Sequence, residues 1–316
     1  MQWYYIVLIT LGVLVVLYFA GALVIGYGVL LKIIKPVAKW RTHDMSRPQQ
    51  IRDTKLDLEK LEKQWNAQPF TVTTADKLTL RGVYIDNPNC TGRAKVAIVV
   101  HGHTANLIHS YKYADIFYNL GYNVVMYDSR YFGDSDGKFD TLGQLEKLDL
   151  SLVVDFARNR YGKDCFLALH GESMGAATVL LETAVRSDID LVVADCPFSD
   201  SRQLYGDLMK GKTIYPLSLL VAITCMFGKK YGYDLRTVNP IEAVRNTDIP
   251  IMFIHGDVDT FIPPYHSRNM AREARNSNSL YVEFPNAKHA SSYYTDSKRY
   301  IEEVTKFVQR IEKISY

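Results

Sequence analysis

Cys165-Phe166-Leu167-Ala168-Leu169-His170-Gly171-Glu172-Ser173-Met174-Gly175-Ala176-Ala177-Thr178-Val179-Leu180 holds three statements in one stretch. Cys165 to His170 is a short apolar run of strand length. Ala176 to Arg186 is a longer run that reads as a helix. Between them, Gly171-Glu172-Ser173-Met174-Gly175 matches G-x-S-x-G, a pattern that is weak alone and informative between a strand and a helix. In that context the serine occupies a sharp, strained turn, and the flanking glycines are needed because a Cβ would crowd the turn. Ser173 is therefore the candidate nucleophile, projecting at the carboxyl edge of a sheet.

Outward from this stretch the same alternation continues. Strands are expected at Phe70–Thr74, Leu78–Ile85, Val96–Val100, Asn123–Tyr127, Leu191–Ala194, Ile249–Ile254 and Leu280–Phe284. Helices are expected after Thr104 to Leu120, at Leu142–Arg160, near Tyr265–Ala274 and at Ser292–Ile314. Strands apolar throughout and alternating with helices imply an α/β architecture, a mostly parallel eight-stranded sheet covered on both faces. Ligands of such sheets bind beyond the carboxyl ends of the strands. One stretch, about residues 197–238, breaks the rhythm; its tyrosines and the apolar run Leu217–Phe227 read as a helical cap inserted over that edge.

A serine hydroxyl needs a base within hydrogen-bond reach. His289 follows the last strand and is the candidate, although an isolated loop histidine would ordinarily be read as solvated. The base needs a carboxylate to hold its tautomer and stabilise its cation. Ile254-His255-Gly256-Asp257-Val258-Asp259 offers two after a buried strand. Asp259 is preferred, because it lies farther from the strand end; Asp257 reads as a loop-shaping residue and Asp195 as a third option. Two amides are needed for the oxyanion. Met174 N–H, at a helix start, is one; His103 N–H, in the loop after Val100, is the other. His101 and His103 also resemble a metal pair, but no further ligand at a known spacing completes it, so no metal is expected.

Near the amino end, no side chain from Trp3 to Leu31 is charged. That run of roughly thirty residues exceeds the ~20 that cross a bilayer. It begins without Lys or Arg and is too long for a cleaved signal peptide; Trp3, Tyr4 and Tyr5 suit a membrane interface. Residues 1–35 are thus expected to form a single transmembrane helix. Lys32, Lys35, Lys39 and Arg41 follow it, and by the positive-inside rule they place the rest of the chain in the cytoplasm. Residues 36–69 read as a charged linker with a short amphipathic helix opening near Ser46 and Pro48. Residues 70–316 form the body.

The 316 residues are 47% hydrophobic and carry a net charge of +3, so a large core can form and nothing favours a nucleic-acid partner. The four cysteines have no metal-like or redox-like spacing, and Cys165 and Cys196 read as buried apolar residues, which leans toward a reducing compartment. A single span gives no support to transport, and Leu217–Phe227 is too short to add a second.

His101-Gly102-His103-Thr104, Asp128-Ser129-Arg130-Tyr131-Phe132-Gly133-Asp134-Ser135, the Ser173 pentapeptide, His255-Gly256-Asp257-Val258-Asp259 and His289 together resemble the α/β-hydrolase superfamily. The combination is similar to bacterial serine-aminopeptidase-like and esterase-like hydrolases, a group close to membrane-anchored eukaryotic hydrolases. The likeness runs from about Phe70 to the end, by motif order. Tyr131-Phe132 departs from it, standing where that group often has Gly and a small residue or His, which bears on substrate preference. The resemblance implies hydrolysis of a carboxylic ester, thioester or amide without metal or organic cofactor. The apolar cap and the anchor favour an acyl or lipid ester as partner. A peptidase or amidase, and a silent binding protein on the same fold, are the alternatives.

Overall fold

A computed structural model describes residues 3–36 and 42–315. Lys39 and Arg41 lie outside the described residues. The chain opens with a long helix, α1 (Trp3–Ile34). Two short helices follow, α2 (His43–Thr54) and α3 (Leu58–Trp65), then the strands β1 (Gln68–Thr73), β2 (Thr79–Ile85) and β3 (Lys95–Val100). Next come α4 (Tyr111–Asn119), β4 (Asn123–Tyr127), α5 (Glu146–Tyr161), β5 (Phe166–Glu172), α6 (Met174–Glu182) and β6 (Leu191–Asp195). Then α7 (Ser201–Met209), α8 (Leu217–Gly228) and α9 (Pro240–Arg245) precede β7 (Ile251–Gly256), α10 (Tyr265–Glu273) and β8 (Leu280–Phe284). The short α11 (Ser292–Thr295) and the long α12 (Ser297–Ser315) close the chain.

All eight strands join one sheet in the order β1-β2-β4-β3-β5-β6-β7-β8. Only β2 runs against its neighbours; from β4 to β8 every pairing is parallel. Parallel strands need helical crossovers, and those helices cover both faces, so both sets of alternating side chains must be apolar. In β3, Ala97 and Val99 face one core with α3, α4 and α12, while Val96, Ile98 and Val100 face another with α5 and α6. A third apolar cluster joins α7 and α8 to Leu30 and Ile34 of α1. The strands between β5 and β8 end at one edge, and the α7–α8 segment lies beside it.

Several helix boundaries differ from the sequence reading. The helix expected from Leu142 opens only at Glu146, because Leu142 (φ 50°) and Gly143 (φ 104°) leave the helical region, and the one expected to run to Arg186 ends at Glu182. The helix expected near Ser46 starts earlier, at His43, because the Thr42 hydroxyl accepts the Met45 N–H and supplies the cap. Pro48 then falls inside α2. The expected helix Ser292–Ile314 is split at Asp296, whose carboxylate accepts the Arg299 N–H and starts α12 afresh.

α1 changes character along its length. From Trp3 to Phe19 its side chains are exposed or half-exposed; beyond that Ala22, Gly26, Leu30 and Ile34 are buried. A spacing of four residues puts these on one stripe of the helix. The stripe rests on α8. A Cβ on Gly26 would lie 2.5 Å from Ile223 Cγ2, so glycine is what permits the approach. Tyr18 packs on Tyr215 and Tyr27 on Phe227, with ring centroids 4.8 and 4.9 Å apart.

Candidate active site

Between β5 and α6 the chain turns sharply, and Ser173 pays for that turn with φ 55° and ψ −112°. Such a conformation costs a non-glycine residue about 1–3 kcal/mol and persists only where surroundings enforce it. Here the Ser173 N–H is held by the Asp195 carbonyl at 2.8 Å. The two elbow glycines sit against backbone: a Cβ on Gly175 would lie 2.6 Å from the His101 carbonyl oxygen, and one on Gly171 2.6 Å from the Ala176 nitrogen.

Ser173 Oγ lies 2.9 Å from His289 Nε2. His289 Nδ1 lies 2.7 Å from Asp259 Oδ2. A carboxylate only accepts, so Nδ1 carries the proton and the Nε2 lone pair faces the serine. The Phe261 ring, 4.9 Å from the imidazole, limits its rotation. Asp259 is buried, and its other oxygen accepts the N–H groups of Phe261 and Ile262 at 2.9 Å each. Burial alone would raise this carboxyl; hydrogen bonds from His255 and His289 more than offset it and hold the group well below the usual carboxylate range.

The other acidic options are engaged elsewhere. Asp257 accepts the Asn286 N–H at 2.6 Å. Asp195 turns behind the elbow, where Tyr113 Oη lies 3.2 Å from its Oδ2. Lys112, fully covered, stands 2.9 Å from Glu172 Oε2, and the Tyr113 hydroxyl donates to the same oxygen. Burial would raise the Glu172 carboxyl, but Lys112 and Tyr113 more than offset that and lower it. At Asp195 the balance goes the other way: burial, then the charge of Glu172, outweigh Tyr300, Lys112 and Tyr113 and push it up to about 7. This buried network beneath Ser173 was not anticipated from sequence, where of its members only Glu172 lies next to that serine.

His103 and Met174 border the same cavity as Ser173. Met174 opens α6, where the helix dipole favours negative charge. The His103 side chain turns away, with Nε2 2.9 Å from the Ile33 carbonyl and 3.3 Å from Asp140 Oδ2. Burial would lower its pKa; the Asp140 charge more than offsets that and raises it. His101 accepts the Ser129 N–H through Nε2 at 2.9 Å, with Nδ1 2.8 Å from the Gly102 carbonyl, so both its nitrogens brace loops. Asp128 accepts the N–H groups of Leu107 and Asp134 and pairs with His43 at 2.7 Å. His43, Asp128 and Asp134 are the one cluster of metal-ligand type among the described residues; Asp128 uses both oxygens on backbone there, which is the work of a buttress.

The cavity beside Ser173 has a volume of about 410 Å³. A larger hollow between α7, α8 and α9, about 800 Å³, touches none of Ser173, His289 and Asp259.

A sheet of this order, with a serine elbow after its central strand and a histidine after its last, defines a hydrolase of the α/β type. Comparison with known proteins agrees. A family profile described as "Serine aminopeptidase, S33" matches residues 92–222. The Bacillus subtilis protein YqkD is 32% identical over 255 residues, covering 79% of this chain and 81% of the relative. An uncharacterized membrane protein of Saccharomyces cerevisiae is 24% identical over 232 residues, 72% and 75% of the two chains. Among solved structures, the Pyrococcus furiosus esterase Pf2001 superposes with a TM-score of 0.65 at 24% identity, over 79% of this chain and 95% of that one. This chain belongs to the α/β-hydrolase superfamily, in the same family as YqkD.

Proposed function

We propose that this hydrolase is a membrane-anchored serine esterase. The observation that carries the reading is the hydrogen-bonded chain Ser173–His289–Asp259. As Ser173 Oγ attacks the ester carbonyl, its proton passes to His289 Nε2, and Asp259 stabilises the imidazolium. The N–H groups of Met174 and His103 receive the oxyanion. Collapse breaks the ester C–O bond; His289 returns the proton to the departing alcohol, leaving an acyl-Ser173 ester. Water, deprotonated by His289, then cleaves it to the carboxylic acid. No step calls for a metal or organic cofactor.

Ser173→Ala should lower p-nitrophenyl butyrate hydrolysis by ~10⁴-fold or more and abolish labelling by a fluorophosphonate probe. Equal rates in the variant and the parent would end the assignment, and an unlabelled parent protein would favour a silent binding protein. The profile described by aminopeptidases raises amide cleavage as a second reading. An aminopeptidase needs an anion for the substrate's ammonium, whereas no Asp or Glu lines the cavity among the described residues. Aminoacyl amides should accordingly be poor substrates beside esters of equal size.

The anchor is α1, apolar enough to cross a bilayer and unpacked along its first half. Lys32 and Lys35 at its far end favour a cytoplasmic body. A reporter active only outside the cytoplasm, fused after Tyr316, should stay silent; activity there would reverse the orientation.

A further inference from the structure

α1 is more than a tether. Its buried stripe is docked on α8, and three residues on an adjoining face, Val29, Lys32 and Ile33, line the cavity that holds Ser173. Its last turn is also tied down. A helix end leaves its final carbonyls without partners in the helix. Here the Ile33 carbonyl lies 2.9 Å from His103 Nε2, the Ile34 carbonyl accepts the Asp140 N–H at 2.9 Å, and the Pro36 carbonyl accepts the Tyr131 hydroxyl at 3.2 Å. All three partners belong to loops at the carboxyl edge of the sheet. Without α1 the cavity would lack a wall, and Leu30 and Ile34 would leave the third core.

The lining of this space is mainly apolar, with Lys32 and Lys212 as its charged members. Opposite Val29 and Ile33 stand Leu204, Leu208, Phe261 and Ile262. Its 410 Å³ falls within the ~300–1,000 Å³ common for small-ligand sites. We infer that this cavity is an acyl-binding site for lipid-type carboxylic esters, with the carboxyl end of α1 as the wall that limits chain length. The inference rests on Ser173 being the nucleophile, as proposed above. Tyr131, at the departure from the family pattern, then holds the wall through Pro36, and α7 with the loop after β7 supplies further apolar lining.

The test uses the full-length protein in detergent micelles with p-nitrophenyl esters from acetate to decanoate. For the parent protein, kcat/KM should rise with acyl length by up to about fourfold per buried methylene until the cavity is full. Val29→Trp and Ile33→Trp should lower the ratio of decanoate to acetate turnover at least tenfold. Val29→Ala should move the optimum to a longer chain. Val24→Trp, on an exposed part of α1, should leave the profile unchanged. Fluorophosphonate labelling of each variant reports a folded site, and where a tryptophan variant does not label, the alanine variant decides. A labelled, active parent whose chain-length profile is unmoved by all changes at Val29 and Ile33 would overturn the wall and leave the serine hydrolase standing. A parent that neither labels nor hydrolyses would overturn both.

Discussion

At Gly175 even a methyl group meets backbone, 2.6 Å from the carbonyl oxygen of His101. Neither side of that contact is a movable side chain. Gly175→Ala should therefore cost about 1–3 kcal/mol, read as a lowered unfolding temperature, and should slow ester turnover by displacing the Met174 amide. Asp195 invites a different experiment. Its carboxyl rises from an ordinary 3.8 to about 7 in the folded protein. The folded form thus retains a proton that the unfolded chain releases, so this group's contribution is whole below about pH 4 and is lost as pH rises through about 7. Asp195→Asn should flatten that decline by on the order of 2–4 kcal/mol; thermal unfolding from about pH 5 to about pH 8, compared with the parent, checks it. Residues such as Ser173, Asp259 and His289 were legible because each follows a strand, where the chemistry of such sheets collects. Lys112, Tyr113 and Asp140 were not, since nothing local marks a side chain that a distant crossover will bury.

Among the elements, short apolar runs between turn residues were read closely: β4 and β8 fall where those runs do. The break between α11 and α12 was missed because one residue, Asp296, works as a cap only when its backbone leaves the helical region. The docking of α1 on α8 was missed for a deeper reason. Apolar side chains meant for lipid and those meant for a protein neighbour are the same residue types, and only the four-residue stripe Ala22, Gly26, Leu30 and Ile34 distinguishes them. Gly26→Leu tests that contact. The new side chain runs into Ile223 and should lower stability by about 1–3 kcal/mol, seen by thermal unfolding in detergent and by faster proteolysis between α1 and α2. Val24→Leu, exposed on the same helix, should do neither.

For the whole molecule, the sheet and its two covered faces followed from periodicity alone, while the third apolar cluster had to be seen. It unites the α7–α8 segment with the helix that the proposal places in a bilayer. From Gly21, α1 climbs about 12 Å to Val29 and about 18 Å to Ile33 at 1.5 Å per residue. If α1 spans a bilayer as proposed, a body clamped to such a mast cannot roam, and Ser173 works at a set height over one patch of lipid. Encounter is then two-dimensional. Diluting an ester with inert lipid, at constant total ester, should slow turnover in proportion to its surface fraction. Vesicles carrying ester but no enzyme should stay intact beside enzyme-bearing ones, since the catalyst serves only the sheet of lipid it stands in.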